Sequence, residues 1–367
     1  MTAEQLDYIP AGTVFTPEDL TFYARREERS LDEAIRDADV LVSCPHSGAR
    51  IPAEVAPFLT ANLTRRLQYD FTDMATSAIC RRWAEIDERI IYVENPHPRL
   101  IRDPNRAKPE DPGAQLREAI ERVRAAGAWQ KVDLTGVDAI RPVTFSFYPV
   151  IVVPETDAEL DRLVAAFTDV AASGLEVYER TRDELTERIL TEKLGTGGNL
   201  TRLSFHDTMN TTTTRDGAVN VPRAEADRLP NVVSLSNRGD AHGEERTSED
   251  PIVMAPDRIR ALADAHREAF DVADFSDVAL NKPYLGSQEI IAAGARFRAA
   301  AADADAAGLV LSAVQAEFLR EYLLGEGAVN ELHQPGEEWI AEDPARIERI
   351  AQACKQAWDL YRGSAPR

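Results

Sequence analysis

The stretch Asp39-Val-Leu-Val-Ser-Cys44, followed at once by Pro45-His46-Ser47-Gly48, decides the fold class of this chain. A short apolar run with β-branched residues that ends at a proline is typical of a buried strand. Similar runs occur further along the chain at 89–93, 200–205, 231–235, 277–280 and 309–314. Segments with helical periodicity lie between and after them, at 67–85, 115–126, 157–193, 256–272, 288–306 and 344–361. Strands that alternate with helices predict an α/β fold with a mixed, mostly parallel sheet flanked by helices.

One α/β domain is expected rather than two. Residues 1–38 mix proline, acidic and aromatic residues without a clear period, which predicts an N-terminal arm packed over the domain. Residues 39–367 contain no internal repeat and no linker long enough to divide the chain. They are therefore expected to form a single domain, in which the long helical segment around 157–193 is an insertion.

The charge of the chain argues against several classes of partner. It has 63 acidic and 42 basic residues, which gives a formal net charge of −21 at pH 7. A field of that sign repels phosphate backbones and anionic lipid surfaces, so neither nucleic acid nor a membrane is an expected partner. The three cysteines form no Cys-x-x-Cys pair, which argues against a disulfide framework and a zinc knuckle. No signal peptide or membrane-spanning run is recognisable, so a cytoplasmic protein is expected.

Polar side chains follow four of the predicted strands. His46 comes after the first strand, His206 after the run 200–205, Asn281 and Tyr284 after 277–280, and Glu317 after 309–314. Ligands of open α/β sheets bind beyond the carboxyl ends of the strands. We therefore expect these side chains to gather at one edge of the sheet.

Two histidines and a glutamate in such positions favour a mononuclear metal site. Catalytic zinc takes about three nitrogen or oxygen ligands and leaves one position for water. The third ligand is expected in Tyr69-Asp70-Phe71-Thr72-Asp73, where one of Asp70 and Asp73 binds the metal. Either aspartate could instead cap a helix, and either histidine could be a hydrogen-bonded structural residue. The sequence thus predicts one Zn²⁺ per chain.

A cluster of arginines predicts a small anionic substrate. The segment 99–106 contains three arginines, among them Arg99 and Arg106, together with Asn105. A guanidinium group binds a carboxylate through two parallel hydrogen bonds. The net charge of the chain has the wrong sign for long-range attraction, so this local cluster would have to provide the binding. The alternative is a solvated loop whose arginines form salt bridges.

These motifs, in this order, resemble those of the N-formylglutamate amidohydrolase family. The resemblance covers about residues 39–325. The segments that carry it are Pro45-His46-Ser47-Gly48 with Ile51-Pro52, then Asp70 or Asp73, Arg99 to Arg106, Ser204-Phe205-His206-Asp207, Asn281 to Gly286, and Gln315-Ala316-Glu317. One departure is that Ser204 stands where the family usually has an aspartate two positions before the second histidine.

The resemblance implies a fold similar to that of the zinc carboxypeptidases and the aspartoacylase group. By the same resemblance, His46, one of the two aspartates and His206 hold zinc, and Glu317 is the general base. Arg99 and Arg106 would then hold the substrate carboxylate with help from Asn105, and the element that contains Asn281 and Tyr284 would also contact the substrate.

The activity that the resemblance implies is hydrolysis of the N-acyl bond of a small acidic amino acid, with N-formyl-L-glutamate as the first candidate. Formate and glutamate would be the products. Two alternatives remain open at this stage. One is a related metallohydrolase that acts on another N-acyl amino acid or a small peptide. The other is a catalytically silent protein that binds a small molecule.

Overall fold

The computed structural model describes residues 6–127 and 129–364. The strands are, in chain order, β1 (Tyr8–Ile9), β2 (Thr21–Phe22), β3 (Val40–Cys44), β4 (Ile51–Pro52), β5 (Ile90–Glu94), β6 (Gly198–Thr208), β7 (Thr211–Thr213), β8 (Val219–Pro222), β9 (Val233–Ser236), β10 (Val278–Leu280) and β11 (Leu309–Leu319). The helices are α1 (Pro17–Leu20), α2 (Leu31–Asp37), α3 (Arg65–Asp70), α4 (Thr76–Ile86), α5 (Pro112–Ala126), α6 (Asp157–Ser173), α7 (Leu175–Thr196), α8 (Pro256–Ala269), α9 (Gln288–Ala299), α10 (Ala301–Ala307), α11 (Arg320–Leu324), α12 (Glu326–Leu332) and α13 (Pro344–Ser364).

Seven of the strands form one central sheet in the order β10-β9-β11-β6-β3-β5-β2. The four middle strands, β11, β6, β3 and β5, all run parallel to one another. β9 is antiparallel to β11 and carries β10 parallel to itself, while β2 pairs antiparallel with β5 at the opposite edge. This is the mixed, mostly parallel sheet that the sequence predicted.

Helices cover both faces of the sheet because the strand side chains alternate between two apolar clusters. Leu41 of β3 packs on the face that α7 covers, together with Tyr178. Val42, the next residue, packs on the opposite face with Trp83 of α4 and Trp358 of α13. All five side chains are buried. The core therefore lies on both sides of the sheet and leaves the strand ends available for a site.

Two strands are longer than the sequence predicted. β6 and β11 each span eleven residues and pair in parallel over their whole length. His206 and Glu317 therefore lie within strands rather than after them, and they are register partners. The prediction of the strand ends was wrong because polar residues interrupt the apolar runs before the hydrogen-bonded ladder ends.

Two predicted helices are each divided. The segment 67–85 consists of α3 and α4, and the turn between them contains Asp73. The segment 157–193 consists of α6 and α7, which meet at Gly174. A β-carbon on Gly174 would lie 2.5 Å from the His97 ring, so the close approach requires glycine. α7 packs on β3, β5 and β6, which gives this segment a central position in the domain.

Residues 6–38 contribute directly to the sheet. β2 forms its edge strand beside β5, and α2 packs against α7. The segment contains four short elements joined by turns, which explains why it has no clear sequence period. Among residues 6–127 and 129–364, no helix has the length and apolar character needed to span a membrane.

Candidate active site

A large cavity opens at the carboxyl ends of the parallel strands. It has a volume of about 830 Å³ and reaches the ends of β3, β6 and β11. Nine of the ten residues that the sequence singled out line it, namely His46, Asp70, Asp73, Arg99, Asn105, Arg106, His206, Tyr284 and Glu317. Of the five side chains that were expected to gather at one edge of the sheet, all except Asn281 line this cavity.

Three residues at the bottom of the cavity form a group that could hold a metal ion. One ligand atom each from His46, Asp73 and His206 lies within 4.8 Å of the other two. Asp73 Oδ2 is 3.4 Å from His46 Nδ1 and 2.9 Å from His206 Nδ1. All three side chains are buried. The backbone fixes the first two relative to each other, because the Asp73 N–H donates to the His46 carbonyl over 3.0 Å.

The Pro-His-Ser-Gly motif positions His46 directly after β3. The Ser47 hydroxyl shares its proton between the Cys44 carbonyl and the Asn95 carbonyl, which links the turn to the segment after β5. A β-carbon on Gly48 would collide with the carbonyl group of Pro96, so this turn needs glycine. The motif therefore fixes the backbone conformation around His46, and the imidazole of His46 lines the cavity.

The ring nitrogen of each histidine that points away from Asp73, Nε2, is also hydrogen-bonded. His46 Nε2 lies 2.7 Å from Asp103 Oδ1, and His206 Nε2 lies 3.0 Å from the Ser204 hydroxyl. A metal-binding histidine usually donates its other N–H to such a group, which fixes the tautomer and the ring orientation. In both histidines, Nδ1 is the nitrogen that faces Asp73.

The charges of this group are strongly coupled. Burial and Arg99 lower the pKa of His46, but the carboxylates of Asp103 and Asp73 outweigh them and raise it to about 9. Burial raises the pKa of Asp73, yet the two neighbouring histidines lower it below its usual range. The site thus has a surplus of negative charge that a proton on His46 balances, and a divalent cation would meet the same need.

Asp70 lies near this group without joining it. It ends α3, and its carboxylate accepts a hydrogen bond of 2.5 Å from the Thr213 hydroxyl. Arg320 is 3.5 Å from the same carboxylate. Neither aspartate caps α4, because the residue before that helix is Ala75. The structure therefore brings Asp73, and not Asp70, together with the two histidines.

Glu317 lies in β11 and is the register partner of His206 in the neighbouring strand β6. It lines the same cavity. Its Oε1 accepts from the Thr208 hydroxyl over 2.6 Å, and its Oε2 accepts from the Gln315 amide over 2.7 Å. Burial raises the pKa of this carboxyl, an effect that His206 opposes and Asp73 reinforces. Glu317 is therefore a fixed, partly dehydrated carboxylate, as a general base requires.

The arginine segment forms one wall of the cavity. Arg99 donates to Asp103 over 2.6 Å and its guanidinium lies 4.7 Å from the centre of the Phe145 ring. The buried Nε of Arg99 has no hydrogen-bond partner among the described residues. Arg106 is paired with Asp138 at 2.7 Å. Arg99 thus has one unpaired buried donor, whereas the guanidinium of Arg106 is held in part by Asp138.

Asn105 and Asn281 use their side chains to hold loops. The Asn105 side-chain oxygen accepts from the Gln288 N–H over 2.7 Å at the start of α9, and Asn105 still lines the cavity. Asn281 does not line the cavity. Its amide group bonds to Asn237 and to the Asp240 carbonyl, which ties the loop after β9 to the end of β10. The prediction that Asn281 contacts the substrate is therefore not supported by its position.

Four residues in or next to the site were given no role in it by the sequence analysis. Arg223 follows β8 and lines the cavity near Tyr284. Asp103, inside the arginine segment, is the partner of His46 rather than part of a substrate clamp. Ser204 accepts from or donates to His206 and also donates to Glu289 over 3.2 Å. The contacts of Arg223 and Glu289 depend on tertiary packing, so no local pattern marks either residue.

Comparisons with known proteins agree with the resemblance drawn from the motifs. Residues 38–189 match the model of the N-formylglutamate amidohydrolase family, a segment that includes His46, Asp73 and Asp103. A crystal structure of an N-formylglutamate amidohydrolase from Ralstonia eutropha JMP134 is similar over 94% of this chain and 98% of that chain, with a TM-score of 0.50 and 19% sequence identity. No curated protein matches the chain. The family match supports a hydrolase of the amidohydrolase type, and the structural likeness supports the α/β fold.

Proposed function

We propose that this chain is a zinc-dependent hydrolase that cleaves the N-acyl bond of a small acidic N-acyl amino acid, with N-formyl-L-glutamate as the first candidate substrate. One observation carries the proposal. The group His46, Asp73 and His206, the buried carboxylate Glu317 and the arginine wall all line the same cavity. The model of the N-formylglutamate amidohydrolase family fits residues 38–189, which include His46, Asp73 and the arginine segment.

The chemistry of the donor set fits zinc. Two imidazole nitrogens and one carboxylate oxygen are the ligand types that catalytic zinc takes, with one position left for water. The two Nδ1 atoms point at the same Asp73 oxygen. Each Nε2 is already bonded to a polar partner, so each ring has one nitrogen for the metal. We therefore assign one zinc per chain to His46, Asp73 and His206, and no ligand role to Asp70.

Glu317 carries the proton in the proposed reaction. A bound Zn²⁺ would polarise the amide carbonyl and lower the pKa of a water toward about 7. Glu317 accepts a proton from the attacking water and gives it to the nitrogen of the leaving amino acid. The water oxygen bonds to the formyl carbon while the carbon–nitrogen bond breaks, so formate and glutamate are released. Burial, which raises the pKa of Glu317, suits both halves of this task.

The arginine wall supplies the anion binding that the net charge of the protein cannot. Arg99 lines the cavity, and Asp103 accepts from only one of its guanidinium nitrogens, so a carboxylate of the substrate could accept from another. Arg223 and Arg106 line the same cavity. Phe71 and Phe145 flank Arg99 and limit its hydration. A short dicarboxylate such as N-formyl-L-glutamate fits this arrangement better than a neutral peptide.

The proposal is tested by metal content and turnover measured on the same preparations. We expect about one zinc per chain by elemental analysis, and formate release from N-formyl-L-glutamate. H46A and H206A should lose both, while H242A, in an exposed loop outside the cavity, should keep both. A protein that takes up no zinc when zinc is supplied would refute the metal mechanism and favour the silent binding protein.

A substrate panel separates the remaining enzyme alternative. N-formyl-L-aspartate, N-acetyl-L-glutamate, N-formyl-L-leucine and a short peptide vary the acyl group and the side chain independently. If the zinc-loaded protein cleaves only the acetylated compound or the peptide, the site belongs to a related metallohydrolase with another substrate.

A further inference from the structure

A buried glutamate lies behind the metal group and plays no part in the mechanism above. Glu289, in the first turn of α9, accepts four hydrogen bonds. Its Oε1 receives the Tyr178 hydroxyl and Arg182 Nη1, each over 2.6 Å. Its Oε2 receives the Ser43 hydroxyl over 2.6 Å and the Ser204 hydroxyl over 3.2 Å. Both carboxylate oxygens are thus occupied by donors, and one of these donors also touches His206.

Glu289 is an anion in this environment. Burial raises its pKa, but Arg182 and Arg202 outweigh burial and lower the pKa to about 2. An ionised carboxylate only accepts hydrogen bonds. The Ser204 hydroxyl must therefore point its proton at Glu289.

The direction of that hydrogen bond determines the state of His206. A serine hydroxyl has one proton, and here it is given to Glu289, so the Ser204 oxygen can only accept from His206. His206 Nε2 lies 3.0 Å from that oxygen and must carry a proton to donate. In the neutral ring, the lone pair then lies on Nδ1, which faces Asp73 Oδ2 at 2.9 Å. That is the nitrogen that the zinc site requires.

We propose that Glu289 is a positioning residue of the metal site, which acts through the Ser204 hydroxyl to keep the proton of His206 on Nε2 and the lone pair of Nδ1 free for the metal. This inference rests on the proposed metal-binding role of His206. It gives the two histidines equivalent support, because His46 Nε2 is held by Asp103 directly and His206 Nε2 is held by Glu289 through one hydroxyl.

A purely structural role is the competing explanation for this cluster. Glu289 joins α9 to α7 through Tyr178 and Arg182, and to β3 through Ser43. Ser43 offers a matched control, because its hydroxyl donates to the same Glu289 oxygen, is equally buried and makes no contact with His206 among the hydrogen bonds of the described residues. A structural role predicts equal effects of S43A and S204A, whereas a positioning role predicts different ones.

The first experiment measures zinc affinity by competition with a chromophoric chelator. We expect S204A to weaken zinc binding roughly 10-fold to 100-fold, the usual effect of removing a partner of a ligating histidine. S204T, which keeps the hydroxyl, should restore most of the affinity, and S43A should stay close to wild type. Unchanged affinity in S204A, or equal losses in S204A and S43A, would overturn the proposal.

The second experiment identifies the His206 tautomer in the zinc-free protein from its ring ¹⁵N chemical shifts at alkaline pH. Asp73 Oδ2 lies 2.9 Å from Nδ1 and favours a proton there, so the variants are compared with wild type: the fraction of rings protonated on Nε2 should be higher in wild type than in S204A. E289Q should move the proton to Nδ1, because the Gln oxygen is drawn to Arg182 and its NH₂ then donates to Ser204. An unchanged tautomer in both variants would contradict the proposal. This measurement needs neither zinc nor turnover, so it separates failure of this inference from failure of the proposed activity.

Discussion

His46 and Asp103 form a buried pair in which His46 Nε2 lies 2.7 Å from Asp103 Oδ1. The pair turns the other ring nitrogen, Nδ1, toward Asp73. Asp103 also receives Arg99 Nη2 and the Asn105 N–H, so its carboxylate is fixed from two further directions. The arginine segment thus supports the metal group as well as the substrate wall.

Replacing Asp103 should therefore weaken zinc binding. We expect D103N to lower zinc affinity about 10-fold to 100-fold, because His46 loses its charged partner. Chelator competition measures the loss. D87N is the matched control, since Asp87 is an equally buried aspartate that pairs with Arg362 away from the cavity. A similar affinity loss in D87N would mean that the effect comes from general destabilisation.

Replacing Asp73 by asparagine should remove the zinc, whereas the same replacement of Asp70 should not. D73N should abolish binding of one zinc per chain, because it removes the carboxylate that both imidazoles face. D70N should retain the metal, because Asp70 bonds to Thr213 and Arg320 instead. Elemental analysis of both variants tests the assignment. Zinc retained by D73N and lost from D70N would reverse it.

Glu317 should be needed for turnover and not for the metal. E317Q is expected to keep one zinc per chain while formate release falls about 10²-fold to 10⁴-fold, the usual contribution of a general base. E321Q serves as control, because Glu321 is on the following helix and accepts from the Asn210 N–H outside the cavity. Full activity of E317Q would remove Glu317 from the role of base.

Arg223 should contribute to the binding of the anionic substrate. A charged hydrogen bond contributes about 1.5–3 kcal/mol, so R223A should raise KM for N-formyl-L-glutamate by roughly 10-fold or more. The KM for N-formyl-L-leucine should change less. R215A changes an exposed arginine that lies over Trp129, outside the cavity lining, and should leave both values as they are. Equal effects of R223A on the two substrates would contradict a role in carboxylate binding.

The Glu289 ion pairs should stabilise the fold in a pH-dependent way. E289Q is expected to lose about 3–5 kcal/mol of unfolding free energy at neutral pH, the usual cost of breaking a buried pair. The folded pKa of about 2 lies below the ordinary value of 4.5, so this stabilisation is present above about pH 4.5 and is lost as the pH falls toward 2.

Urea unfolding of wild type and E289Q at successively lower pH checks this prediction. The difference between the two free energies of unfolding should shrink as the solution is acidified. A difference that stays constant would show that folding does not lower the pKa of Glu289. E348Q, which removes an exposed partner of Arg82, should behave like wild type throughout.

The fold class could be predicted from the sequence alone, together with nine of the residues that line the cavity. Apolar runs that alternate with helical segments are local patterns, and they predicted the mixed, mostly parallel sheet. His46, His206 and Glu317 were found because parallel strands bring their carboxyl ends to one edge. The strands that contain His206 and Glu317 are longer than predicted, since a polar residue ends an apolar pattern before it ends a hydrogen-bonded ladder.

The hydrogen-bond partners of the site residues depend on the tertiary structure. Asp70 and Asp73 could not be distinguished from the sequence as metal ligands. Because the chain leaves α3 at Asp70 and turns before α4, Asp73 faces the two histidines. Asp70 instead bonds to Thr213, which is 143 residues away in sequence. Asn281 follows a strand as predicted, but its side-chain amide donates to the Asp240 carbonyl in the loop after β9 and does not face the cavity. Ser43 and Ser204 meet Glu289 across 246 and 85 residues. Local patterns report which face a residue occupies, whereas hydrogen-bond partners depend on packing between segments that are distant in sequence, so only the folded chain could decide them.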